Sequence, residues 1–128
     1  MNRKILLDAN FLVLPFQHNV DIFAELERLL GDVEVYTLNR TYNEARDLED
    51  GKYRQRVEQL VEQKDVTVLS MEADSPVDTL LVELAGEYVV CTNDRELRQR
   101  LDADNLPHVY LRQRSYLEGE NLDASLPF

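Results

Sequence analysis

Short apolar segments typical of strands alternate with longer amphipathic segments typical of helices, and this alternation constrains the fold most strongly. Residues 4–7 form an apolar run. Residues 21–30 repeat apolar side chains along one helical face, with Gly31 in position to end the helix. The predicted strands are 4–7, 33–38, 66–69, 88–91 and 109–111, and the predicted helices are 9–17, 21–30, 41–48, 53–63, 76–86 and 94–101.

Strands that alternate with helices need crossover connections, which produce a mainly parallel sheet covered on both faces. The sequence therefore predicts a three-layer α/β/α sandwich around a five-stranded, mainly parallel sheet. At 128 residues the chain fits one domain, which we place at residues 1–116, followed by a C-terminal tail, 117–128, with few periodic signals. In such folds ligands bind outside the carboxyl ends of the strands.

Several other classes of protein and site are excluded by composition. The apolar runs are too short for a transmembrane span or a secretory signal, so we expect a soluble, cytoplasmic protein without membrane partners. A single cysteine, Cys91, allows neither an intrachain disulfide nor a cysteine-based zinc site, and we expect it to be a small buried hydrophobic residue. His18 and His108 have no partner motif and are expected to be structural.

The net charge of −11 leaves two interpretations open. Such a surface repels nucleic acid at long range, and only three of the 14 basic residues are lysines. The acids either serve a metal or a basic partner, or belong to an acidic, halophile-like surface that high salt screens. Their spread over the whole chain favours the second interpretation.

Four acids occupy corresponding places after four consecutive strands. Asp8 and Asp94 follow the first and fourth strands closely, and Glu44 and Asp78 are expected in the first turns of the helices after the second and third. Parallel strands bring all four to one edge, where converging carboxylates repel each other and raise their own pKa values. A hard divalent cation such as Mg²⁺ or Mn²⁺ relieves that repulsion and suits phosphodiester hydrolysis.

Each acid also has an explanation in helix capping. Asp8 and Asp94 stand where helices begin, and Thr41-x-x-Glu44 matches a capping box. Ser75 is expected to be an N-cap, with Pro76 at the first helical position and Asp78 as an acid in the first turn. Capping alone explains each position better than catalysis, but the conjunction at one edge favours a site, and a capping carboxylate can still bind metal. The sequence lacks a glycine-rich phosphate loop, which argues against nucleotide binding.

With these motifs the chain, over residues 4–116, resembles the PIN-domain ribonucleases, especially the archaeal branch similar to the nucleases that process small-subunit ribosomal RNA. The resemblance implies a Mg²⁺- or Mn²⁺-dependent endonuclease for RNA, with Asp8, Glu44, Asp78 and Asp94 as catalytic metal ligands, directly or through water. Asn10 and Asn93 resemble the flanking polar residues of the family, and Thr92 is assigned a supporting role. Family members often carry two adjacent acids where this chain has Val77 and Asp78. The matching segments are 6–10, 78–85, 92–97 and 109–113.

Basic residues are concentrated late in the chain, where five arginines lie between residues 95 and 114. Arginine binds phosphate through a bidentate fork, and Tyr110 and Tyr116 could stack on unpaired bases. The alternative is a solvated helix face with tyrosines that complete the core. The candidate RNA-binding residues are Arg40, Arg46, Arg95, Arg98, Arg112 and Arg114.

Four functions remain to be compared. The first is an endoribonuclease for structured RNA, most simply a ribosomal RNA precursor, and the second is the ribonuclease toxin of a toxin–antitoxin pair, whose partner is the antitoxin. The third is a non-catalytic scaffold that binds RNA or protein. The fourth, a phosphatase-like domain, is disfavoured because no lysine follows Lys64. A homodimer through the second helix and Val13–Leu14 is also open, although the same residues suit a core.

Overall fold

The computed structural model describes residues 2–122 and contains every strand and helix that the sequence predicts, with one strand more. No helix in this part of the chain has the length and apolar character that crossing a membrane requires. The strands are β1 (Arg3–Leu7), β2 (Val33–Leu38), β3 (Thr67–Leu69), β4 (Val89–Cys91), β5 (His108–Arg112) and β6 (Tyr116–Glu120), and the helices are α1 (Ala9–His18), α2 (Ile22–Leu30), α3 (Asn39–Gly51), α4 (Arg54–Gln63), α5 (Val77–Leu84) and α6 (Arg95–Ala103).

The strands form one sheet in the order β3-β2-β1-β4-β5-β6. The first five are parallel, and β6 pairs antiparallel with β5. The prediction of five strands is therefore wrong by one, because the additional strand spans residues 116–120, most of which the sequence assigns to the tail. Leu117 anchors β6: its side chain is buried and its backbone N–H donates to Glu25 of α2 at 2.9 Å. Residues 123–128 of the predicted tail lie outside the described residues.

Helices cover both faces of the sheet, which confirms the three-layer architecture. Within β1, Ile5 and Leu7 point into one hydrophobic cluster and Leu6 into the other, as the two-residue period of a strand requires. The first cluster takes its helical side chains from α1 to α4 and the second from α5 and α6. Val13 and Leu14 are buried in the first cluster, so they belong to the core and not to a dimer surface.

The connection after β2 differs in part from the prediction. Helix α3 begins at Asn39, two residues before the expected start, so Glu44 lies in its second turn and forms no capping box with Thr41. The Thr41 hydroxyl instead donates to the carbonyl oxygen of Leu38 at 2.8 Å. The predicted break near Gly51 is confirmed, because residues 48–50 leave helical geometry and Gly51 adopts φ +80°.

Candidate active site

The carboxyl ends of β1 and β4 form the point at which the strand order reverses. The chain goes from β1 to β2 and β3 on one side, and β4 and β5 lie on the other. The backbone N–H of Asp8 donates to the carbonyl oxygen of Cys91 at 2.9 Å, which joins the two strand ends. Asp8 therefore lies where open α/β sheets form their ligand crevice.

The Asp8 carboxylate is buried and held by three donors. Its side chain is only 6 % exposed. Oδ2 accepts from the Thr92 hydroxyl at 2.6 Å and from Asn10 Nδ2 at 3.4 Å, while Oδ1 accepts from the Ala9 N–H at 2.8 Å. Burial raises the pKa of Asp8, and Asp78 and Asp94 raise it further, against the lowering effect of the Thr92 and Ala9 hydrogen bonds.

The loop after β4 is tied to Asp8 through Thr92, whose side chain is fully buried. The Thr92 hydroxyl oxygen accepts from the Asp94 N–H at 3.1 Å. Asn10 Oδ1 accepts from the Asn93 N–H at 3.1 Å, and Asn93 Oδ1 accepts from the Leu111 N–H at 2.8 Å. The three polar residues singled out in the sequence thus connect the ends of β1, β4 and β5.

Glu44 and Asp78 approach the same edge from α3 and α5. Asp78 is half-buried in the first turn of α5, and Glu44 is exposed. Partial loss of hydration raises the pKa of Glu44, and the nearby charges of Asp8, Asp78 and Asp94 raise it further. The four acids therefore lie within one electrostatic environment, as the parallel sheet predicts.

Two of the acids also cap helices. Asp8 is the N-cap of α1, and Asp94 is the N-cap of α6, where Oδ1 accepts from the Leu97 N–H at 3.1 Å. For Asp78 the predicted Ser75 cap is wrong, because Pro76 occupies the N-cap position and makes no side-chain cap. The positive ends of α1 and α6 thus face the acidic edge and hold two of its carboxylates in fixed orientation.

The donor chemistry of these residues fits a hard divalent cation. All four candidate ligands are carboxylates, and none takes part in the ion pairs among residues 2–122. Within those residues no three His, Cys, Asp or Glu side chains lie close enough to enclose an ion. Carboxylate oxygens are the donors that hard divalent cations prefer, and such cations can be held by one or two carboxylates with water as the remaining ligands.

Most of the candidate RNA-binding arginines have partners within the chain. Arg40 donates to the backbone carbonyls of Ala73 and Ser75, which fixes the loop before α5. Arg98 stacks over Tyr110, whose burial confirms that this tyrosine belongs to the packed structure. Arg95 and Arg114 are exposed. Two further arginines form ion pairs, Arg46 with Glu58 at 3.1 Å and Arg112 with Glu118 at 3.0 Å.

A pair of buried hydroxyls beside the site was missed in the sequence. The Thr37 hydroxyl donates to the Leu7 carbonyl at 2.8 Å and lies 2.8 Å from the Thr41 hydroxyl. These contacts fix the ends of β1 and β2 next to Asp8. A threonine near the end of a strand gives no sequence signal of this role, because the preference of threonine for strands is enough to explain its presence there.

Comparisons with known proteins agree with this architecture. The sequence profile of the family described as "PIN like domain" matches residues 5–114. A curated relative from Methanocaldococcus jannaschii, named ribonuclease VapC4, is 32 % identical over 126 residues, which cover 90 % of this chain and 95 % of that protein. A solved structure of the PIN domain endonuclease Utp24 superposes with a TM-score of 0.71 at 18 % identity, covering 93 % of this chain and 92 % of that one, and shows likeness of fold.

Proposed function

The chain belongs to the PIN-like domain family, and from this premise we propose that it is a metal-dependent endoribonuclease. The observation that carries the proposal is the convergence of Asp8, Glu44, Asp78 and Asp94 at the strand-order reversal, where burial and mutual repulsion raise the pKa of Asp8. Repulsion among these carboxylates opposes folding, and side-chain capping of a helix accounts for only two of them, Asp8 and Asp94. Such a cluster is explained by a ligand that carries positive charge.

The four acids would hold Mg²⁺ or Mn²⁺, directly or through water. When bound, the ion supplies a water of lowered pKa and neutralises charge on the phosphate that is cut. Asp8 is the central ligand in this proposal because it is the most buried of the four and has the largest number of donors around it.

The remaining residues of the site position the acids and the RNA. Thr92 and Asn10 hold the Asp8 carboxylate in one orientation, and Asn93 fixes the loop that carries Asp94. Arg95 and Arg114 are exposed and closely follow β4 and β5 in the chain, and we propose that their guanidinium groups contact phosphates. In a chain of net charge −11, these cations offer the RNA a local approach to an otherwise repulsive surface.

For the biological role we propose maturation of a structured RNA, in the first instance a ribosomal RNA precursor. The proposal rests on the segments 92–97 and 109–113, which resemble the processing branch of the family. A second candidate is a ribonuclease toxin with an antitoxin partner, which uses the same fold and acids. The identity to ribonuclease VapC4 supports ribonuclease activity for both roles.

The first experiment measures metal binding and cleavage in the same samples. Isothermal titration with Mn²⁺ in KCl compares the wild type with Asp8→Asn/Asp94→Asn, which keeps both N-cap positions because asparagine also caps helices. Saturable binding that the double variant loses, with cleavage of RNA by the wild type only, supports the proposal. Equal binding by both folded proteins contradicts it. Preferential cleavage of precursor ribosomal RNA supports the processing role. Growth arrest when the protein is expressed supports the toxin role.

A further inference from the structure

The four acids of the proposed site are fixed at the sheet edge in two different ways. Asp8 and Asp94 are themselves the N-caps of α1 and α6, so the helices that they begin orient their carboxylates. Helices α3 and α5, which carry Glu44 and Asp78, have no side-chain hydrogen bond at their N-caps. The orientation of these two helices therefore depends on contacts outside their own N-caps.

Asn39, the first residue of α3, provides one such contact. Strands β2 and β3 end side by side, with Leu38 paired with Leu69, so the segments that follow them begin at the same edge of the sheet. Asparagine often caps its own helix, but Asn39 Oδ1 accepts instead from the Met71 N–H at 3.1 Å. The start of α3 thus holds the segment that leads from β3 to α5.

Arg40, the next residue, holds the far end of the same segment. Its Nη1 donates to the carbonyl oxygens of Ala73 at 3.2 Å and of Ser75 at 2.5 Å. Ser75 directly precedes Pro76, which is the N-cap of α5. Because hydrogen bonds from a charged donor are among the stronger ones, Arg40 fixes the backbone at the point where α5 begins.

Both remaining acids lie close to this contact along the chain. Glu44 follows Arg40 by four positions in α3, which places the two residues on one face of the helix. Asp78 follows Ser75 by three positions and lies in the first turn of α5. A shift of Arg40 relative to Ser75 would therefore change the position of Glu44 relative to Asp78.

We propose that Arg40, assisted by Asn39, is a positioning residue that holds the acids of α3 and α5 at the spacing that a divalent cation needs. It acts through the backbone of residues 71–76. Thr92 connects the other two acids in a corresponding way. The inference rests on the proposed nuclease function and gives Arg40 a role that does not require contact with RNA.

The test measures Mn²⁺ binding by isothermal titration, together with the melting temperature of the metal-free protein. Arg40→Ala should weaken Mn²⁺ binding by about 10-fold, the lower end of the effect expected when a hydrogen bond that orients a metal site is lost. Arg40→Lys keeps the charge and can donate to one carbonyl, so it should bind with intermediate affinity. Asn39→Ala should weaken binding less, and hydrogen exchange at the Met71 amide should become faster.

Two controls separate positioning from loss of charge and from loss of stability. Arg100→Ala removes an exposed charge from α6 and should keep wild-type affinity for Mn²⁺. Val57→Ala removes buried atoms from α4 and should lower the melting temperature without weakening Mn²⁺ binding to the folded protein. A loss of affinity in Arg40→Ala that neither control reproduces supports the inference, and an equal loss in either control overturns it.

Wild-type Mn²⁺ affinity in folded Arg40→Ala also overturns the inference. If that variant also binds RNA more weakly without metal, Arg40 is an RNA contact. If Arg40→Ala does not fold, Arg40→Lys and Asn39→Ala decide in the same way. Absence of saturable Mn²⁺ binding by the wild type contradicts the proposed nuclease function, whereas saturable binding that none of these substitutions changes contradicts only this inference.

Discussion

The Thr92 hydroxyl donates to Asp8 Oδ2 at 2.6 Å across 84 positions of the chain. The Thr92 hydroxyl oxygen also accepts from the backbone N–H of Asp94 at 3.1 Å. One buried atom therefore sets the position of two of the four acids relative to each other. Asn10 Nδ2 lies 3.4 Å from the Thr92 hydroxyl oxygen and completes the network.

Thr92→Val should weaken Mn²⁺ binding by about 10- to 100-fold, as loss of a hydrogen bond that orients a metal ligand usually does. Valine keeps the shape of threonine and removes the hydroxyl that orients Asp8. Isothermal titration measures the effect, and Thr92→Ser, which keeps the hydroxyl, should bind within a few-fold of the wild type. Wild-type affinity in the valine variant contradicts the positioning role.

Asp8→Asn should abolish cleavage and raise the melting temperature of the metal-free protein at neutral pH. Because the pKa of Asp8 is raised in the folded state, its ionised form opposes folding above that pKa, and the opposition disappears as the pH falls through it. Asparagine removes the charge and still caps α1. Thermal melts in EDTA at neutral and at acidic pH should therefore show a gain in stability that shrinks with acidification.

Asp21→Asn is the matched control for this substitution. Asp21 caps α2 through the Phe23 and Ala24 N–H groups, both at 3.1 Å, and its side chain is exposed. The control variant should keep wild-type cleavage and should gain no stability at neutral pH. A similar gain in both variants would mean that general relief of surface charge, and not the crowded acidic edge, causes the effect.

Leu117→Ala should lower the free energy of unfolding by about 2–5 kcal/mol, because the Leu117 side chain projects from β6 into the first hydrophobic cluster and is buried there. Urea denaturation followed by circular dichroism measures this loss. Leu29→Ala, at a half-buried position in α2, should cost less. Wild-type stability in Leu117→Ala would show that β6 is not required by the domain.

The thiol of Cys91 should not react with a disulfide reagent until the protein unfolds. Cys91 is fully buried at the end of β4, and burial raises the pKa of its thiol far above the ordinary value. A spectrophotometric thiol assay with and without denaturant measures the difference, with Ser115→Cys in the exposed hairpin as the reactive control. Fast reaction of native Cys91 contradicts the prediction.

The sequence predicts the parallel part of the sheet but not its last strand. Apolar runs such as 4–7 and 88–91 are recognisable because strands buried on both faces need continuous hydrophobic residues. Strand β6 contains a single fully buried residue, Leu117. The turn before it places Gln113 and Arg114 at φ 52° and 57°, where asparagine and glycine are the usual signals. Gln113 and Arg114 therefore do not predict a hairpin.

The acidic edge can also be predicted from the sequence, since the carboxyl ends of parallel strands lie at one edge of the sheet. The position of Glu44 within its helix cannot be predicted in this way, because α3 begins two residues earlier than the capping pattern in the sequence indicates. The partners of the arginines are also beyond sequence analysis. Arg46 meets Glu58 of another helix and Arg112 meets Glu118 of another strand, contacts that exist only after folding. Whether any of these six arginines contacts RNA stays a prediction.

The pairing of the ends of β1 and β4 also sets the order in which the protein becomes competent during synthesis. A ribosome makes Asp8 before Thr92 and Asp94, whose side chains emerge only after all of α1 to α5. An incomplete nascent chain therefore carries Asp8 without the partners that complete the acidic edge. The acidic edge can therefore assemble only after β4 and the loop that follows it have left the exit tunnel.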